Sequence, residues 1–164
     1  MLNDNELSLI FMTTNEVLIR YNFLTKIPFK NGENELSKDL KVKIMSMRIE
    51  YGKVRKQFDE DLQEFIKGLS PEDLQALQQK ENRTDEENAK LTEMINKLNA
   101  EYQDYIVKKG AEEIDIKNDG KFSEDEYSEL IAVCPNDEVD INGTKLSGGD
   151  FLEVLYSIFV NESE

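Results

Sequence analysis

This sequence predicts a mainly α protein: a long antiparallel helical hairpin with a small C-terminal α+β cap that contains a β-hairpin. Three observations lead there. Apolar residues recur at every third or fourth position from Leu40 to Leu69. A second row of the same kind runs from Leu91 to Ile106. Beyond Gly110 the period breaks into short apolar runs around an Asn142-Gly143 pair, the pattern of small strands and tight turns.

Residues 1–36 read as an N-terminal apolar segment packing on the body. Leu7, Ile10, Phe11, Leu18, Tyr21 and Leu24 follow a roughly helical spacing over 4–25, with Asn3 or Asp4 as its cap. Thr13 and Thr14 interrupt it. The alternative is a short strand over 6–12 and a helix from about Asn15. Pro28 and Asn31-Gly32 mark a loop.

Residues 37–110 form the hairpin. Ser37 opens the first helix, whose apolar positions are Leu40, Ile44, Met47, Tyr51, Val54, Phe58, Leu62, Phe65 and Leu69. Such a row predicts one long helix with one apolar face. Its Met, Tyr and Phe content favours an intramolecular hairpin over a dimeric coiled coil. Gly52 costs ~1 kcal/mol against alanine inside a helix, which a close helix crossing would explain. Ser70-Pro71-Glu72-Asp73 starts a short helix to about Gln79. Thr84-x-x-Glu87 is a capping box. The second long helix follows, ending on Lys108, Lys109 and Gly110.

Residues 111–164 form the cap. Ile114 and Ile116 alternate with acids, a strand signal. Ser123-x-x-Glu126 starts a helix that stops before Pro135. Residues 138–146 read as a β-hairpin, because Asn-Gly tolerates the positive φ of its turn. Ser147-Gly148-Gly149-Asp150 leads into a closing apolar helix. The three segments are expected to make one compact unit.

The composition excludes several chemistries. The chain has 164 residues, no histidine and a single cysteine, Cys134. A Ser-His-Asp or Cys-His nucleophile, a CxxC pair and an intramolecular disulfide are therefore absent. No glycine-rich phosphate loop occurs. The expectation is a non-enzyme without a catalytic residue.

The net charge is −15, unevenly placed. Residues 37–56 carry 7 lysines and arginines against 2 acids, whereas 57–164 carry 10 against 28. An acidic body repels phosphate, which disfavours nucleic acid and anionic membranes. No secretion signal and no apolar run of membrane-spanning length is read. Within the basic segment, Lys41, Arg48 and Arg55 are candidate partner-contacting residues. The alternative is that these cations neutralise the protein's own acids across the hairpin.

Asp115-Ile116-Lys117-Asn118-Asp119-Gly120-Lys121-Phe122-Ser123-Glu124-Asp125-Glu126 is similar to an EF-hand calcium loop. Ca²⁺ takes a ring of oxygens, a glycine at the sharp turn and a final bidentate glutamate. Asp115, Asp119, Ser123 and Glu126 are the candidate ligands. Lys117 departs from the pattern, since an ammonium stands where an oxygen ligand belongs. The plainer alternative is an acidic turn capped by Ser123, with no cofactor.

The order of segments carries a further likeness. A Lys26-Ile27-Pro28 turn, the basic-apolar stretch KDLKVKIMSMRIEYGKVRKQFDEDLQEF and the stretch FSEDEYSELIAVCPNDEVDING together resemble a family of small acidic proteins of tailed bacteriophages. Their genes lie among virion-morphogenesis genes. The likeness spans roughly residues 20–155 and is strongest over Glu126–Ile141. It implies a structural or assembly protein of the virion or tail module, acting by protein–protein contact. Its partners would be other virion or assembly proteins. Its place would be the host cytoplasm during assembly, or the virion. The alternatives are a calcium-responsive binding module and an acidic inhibitor of a host factor. The oligomeric state stays open.

Overall fold

The computed structural model describes residues 10–69, 71–117 and 120–160. The protein is mainly α, with 67% of the described residues helical and a few small antiparallel strand pairs. It divides into two units. Unit 1 comprises the chain up to Arg55 and from Glu113 onward, and unit 2 is Lys56–Glu112.

Unit 1 begins with strand β1 (Ile10–Thr13) and helix α1 (Thr14–Leu24). The uninterrupted helix expected over 4–25 is thus replaced by the strand-then-helix alternative. The described part of that segment shows why. The Thr13 hydroxyl accepts from the Glu16 N–H at 3.2 Å, and the Glu16 carboxylate accepts from the Thr13 N–H at 2.9 Å. This reciprocal cap fixes the helix start and leaves Ile10–Thr13 free to pair. Two-residue strands β2 (Lys30–Asn31) and β3 (Asn34–Glu35) flank the Gly32 turn.

Helix α2 (Lys38–Gly68) runs through both units. Its first half turns Leu40, Ile44, Met47 and Tyr51 into the core, each at most 1% exposed. The ring of α1's Tyr21 lies against Gly52, the close crossing the sequence suggested. Strand β4 (Glu113–Ile116) pairs antiparallel with β1, Ile116 opposite Ile10 and Glu113 opposite Thr13.

Helix α5 (Glu124–Val133) starts on Ser123, as its capping box predicts. Strands β5 (Val139–Ile141) and β6 (Thr144–Leu146) form the expected hairpin, with Asn142 and Gly143 at φ 51° and 84°. Helix α6 (Gly148–Leu155) continues into a π-helical turn (Tyr156–Val160). There Phe159 tilts against Phe122 at 5.2 Å between ring centres, while Phe151 stacks on Phe23 at 5.6 Å.

Gly120 holds the loop between β4 and α5 against this core. Its φ is +64°, and a Cβ there would lie 2.5 Å from the Tyr51 hydroxyl and 2.8 Å from Arg20 Nη1. Only glycine fits both the conformation and the space.

Unit 2 contains the second half of α2, the short helix α3 (Glu72–Gln79) and helix α4 (Asp85–Gly110). Ser70, expected to cap α3, lies outside the described residues; Pro71 stands at the cap position, extended, with no side-chain cap bond. The Thr84–Glu87 capping box starts α4 as expected. The two long helices run antiparallel. Phe65 stacks on Tyr105 with ring centres 4.0 Å apart, and Lys109 Nζ lies 3.2 Å from an Asp61 carboxylate oxygen. Arg83 Nη1 closes the C-terminal end of α3 by donating to the carbonyls of Leu77, Gln78 and Lys80.

Candidate protein-interaction site

The first half of α2 has two apolar faces. One is the buried row already described. The other is Val42, Met45 and Ile49, at 54%, 49% and 59% exposure. At 100° per residue these three positions fall opposite the core row. Lone exposed apolar residues are ordinary on protein surfaces, but a contiguous row marks a contact site. Lys38 and Lys53 lie one turn before and one turn after the row on the same face. Both are exposed, and neither forms an ion pair among the described residues.

The cations singled out in the sequence are placed differently. Lys41 pairs with Glu35. Arg48 is half-buried: Nε and Nη2 donate to the Leu24 carbonyl at 2.9 and 2.6 Å, and Nη2 to the Ile27 carbonyl at 2.6 Å. Its guanidinium also lies 4.9 Å from the centre of the Phe29 ring. Arg48 therefore caps the C-terminal end of α1, where carbonyls lack helical partners. Arg55 is half-exposed and holds an interaction of its own. Lys38 and Lys53 belong to the basic segment read from the sequence; the residues that reading missed are Val42, Met45 and Ile49. The signal was present: three large apolar side chains stand off the core period of a helix whose core row is already complete.

The calcium-like loop sits among cations. Lys43 Nζ lies 2.9 Å from a Glu126 carboxylate oxygen. Arg20 Nη1 donates to the Gly120 carbonyl at 3.1 Å. The Ser123 hydroxyl accepts from the Glu126 N–H, and the Glu126 carboxylate accepts from the Ser123 N–H. Burial pushes the Glu126 pKa up, but the Ser123 bonds and the Lys43 ammonium outweigh it and hold it below the ordinary value of 4.5. Asp115 is exposed on β4, opposite Phe11. Asp119 lies outside the described residues. Lys117 donates its N–H to the Glu50 carboxylate. Among the described residues no three acids or thiols gather as a metal-holding group.

Cys134 is buried in unit 1, and burial pushes its thiol up to about 11. A thiol so held is a core side chain rather than a nucleophile. Among the described residues no helix is long and apolar enough to cross a membrane.

Unit 2 carries two depressions. Gly68, Leu69, Met94, Lys97 and Leu98 line one, and Phe65, Asp104, Tyr105 and Lys108 a second, with Glu101 shared by both. Their α4 positions fall on one helix face.

Comparison of the chain with protein-family models, with curated proteins and with solved structures finds no match.

Proposed function

We propose that this chain is a non-catalytic binding protein of a viral particle-assembly module. Its outer α2 row, Val42–Met45–Ile49, receives an acidic amphipathic helix of a partner protein. One observation carries the reading: three large side chains about half exposed on one helix face, with lysines at both ends that form no ion pair among the described residues. An apolar row supplies the binding free energy, and flanking charge selects the partner and speeds encounter. The phage setting is supported by the sequence likeness alone. A binding role is supported by the placement of the potential chemical groups, since the thiol is buried and Glu126 is held by its cap and Lys43.

Two measurements test this. Titration calorimetry with a designed Glu-rich amphipathic helix and its Lys-rich counterpart should show binding of the acidic peptide only. Binding should weaken with salt and be lost in Ile49→Asp. Equal binding of both peptides, or undiminished binding by Ile49→Asp, overturns the proposed site. Mass spectrometry of purified particles beside the infected-cell lysate tests the setting. Peptides absent from both particles and assembly intermediates would count against it.

A further inference from the structure

Resting on that reading, we propose that the acidic partner is a second copy of this chain: the outer α2 row of one copy docks on the two unit 2 depressions of the next, together its groove. The row is about 10 Å long from Val42 to Ile49, and the groove about 20 Å along α4 from Met94 to Lys108, both at 1.5 Å per residue. The groove can therefore take the whole row. Its lining mixes the apolar Leu69, Met94 and Leu98 with Lys97, Glu101 and Asp104, and at Gly68 a Cβ would meet nothing within 4 Å.

Charge selects this pairing over the symmetric ones. Residues 37–55 carry 6 lysines and arginines against 2 acids, a net of +4. Unit 2, residues 56–112, carries 8 against 14, a net of −6. Two rows facing each other set Lys38 and Lys53 against the same lysines, and two copies of unit 2 set one net negative unit against another. Only row against groove joins opposite signs, and like-charge juxtaposition is a strong bar to the wrong arrangement. At the groove itself Lys108 is taken by Asp104 at 2.8 Å, and Lys97 and Glu101 line the same depression. Glu101 forms no ion pair among the described residues and lies in both depressions. It is the acid available to Lys38 or Lys53.

The pairing is heterologous. Each copy that gives its row keeps a free groove, so the contact repeats until a ring closes or a filament grows.

Two variants break the two halves separately. Ile49→Asp spoils the row. Gly68→Leu fills the groove at a helical position where leucine is the better helix former. Val42→Asp replaces the first variant if it unfolds. Sedimentation of the wild type over a wide concentration range should show mass rising from monomer through dimer and beyond, less so at high salt. Each variant alone should stay monomeric. Mixed, they should form a one-to-one dimer and nothing larger, because the Ile49→Asp copy keeps its groove and the Gly68→Leu copy keeps its row. A wild type that stays monomeric, a variant that associates alone, or a mixture that stays monomeric overturns the proposal. If the wild type is monomeric yet still binds the acidic peptide through its row, this inference fails while the binding role stands. If the peptide does not bind either, both fail.

Discussion

Unit 1 and the hairpin of unit 2 are written in the same apolar rhythm but packed to different depths. In unit 1, Val17, Leu24, Ile44, Tyr51, Leu130 and Phe151 are fully buried within one cluster. In unit 2, Leu74 is the one large apolar side chain that is buried among the described residues. Phe58, Leu62, Phe65, Met94, Leu98 and Tyr105 are only half-buried. A two-helix layer can shield one side of each side chain, whereas a core needs a further layer. Unit 1 is held by burial, and unit 2 relies more on caps, ion pairs and one aromatic stack.

The largest test of that contrast is a pair of ring deletions. Phe151→Ala should cost about 3–5 kcal/mol, as for a fully buried ring. Phe65→Ala should cost about 1–2 kcal/mol, because part of its surface is already wet. Hydrogen exchange read separately over β4 and over α4 checks this, since it resolves local stability. Equal losses in the two units would erase the distinction.

A pair of glycines sharpens it. Gly120→Ala should destabilise unit 1 by about 2 kcal/mol or more, from its positive φ and the Tyr51 and Arg20 atoms that a Cβ would strike. Gly68→Ala, in open space on a helix, should stabilise by about 0.5–1 kcal/mol. Urea unfolding followed by circular dichroism gives both signs. Thr84→Ala, which removes the α4 cap, should cost about 1 kcal/mol and raise exchange at the start of α4 first.

The smallest effect is acid titration. The folded-state pKa of Glu126 is depressed, so its stabilisation is present above its ordinary value of 4.5 and is lost as pH falls through the depressed value. The melting-temperature gap between wild type and Glu126→Gln should therefore close on acidification. Asp61 is also depressed, first by the Gln57 amide and then by Lys109, and it is half-buried. Lys109 also pairs with Glu112 at 3.1 Å and keeps that partner when Asp61 is lost, so Asp61→Asn should open a smaller gap. A larger gap for Asp61 would contradict the comparison.

Much of this architecture was legible in the sequence, because helix starts and turns are local. The boxes at Thr84 and Ser123, the Asn142-Gly143 turn and the long rows all announce themselves within a few residues. The depth of burial did not. A row of period three and four states which face is apolar, but not whether a second layer covers it. Tyr51 and Phe65 read alike and pack differently. The partner of β4 was equally hidden, since strand pairing over such a separation leaves no local trace. The outer row at Val42 is masked in the sequence by the lysines and arginines that surround it. Arg48, the most prominent of them, donates to the carbonyls of Leu24 and Ile27.

The pairing of Ile10 with Ile116 also bears on the order in which the chain folds. Unit 1 is assembled from two stretches with the whole of unit 2 threaded between them. Joining such distant strands from an open coil is slow, because the entropy of closing the loop comes before any contact rewards it. The hairpin needs only neighbours to zip, from Arg83 near its tip to the Lys109–Asp61 pair at its base. Once zipped it turns a long search into a short one, delivering Glu113 to the place where β4 begins. The less deeply buried region would then be the earlier one to form, acting as a built-in splint for the core that outlasts it in stability.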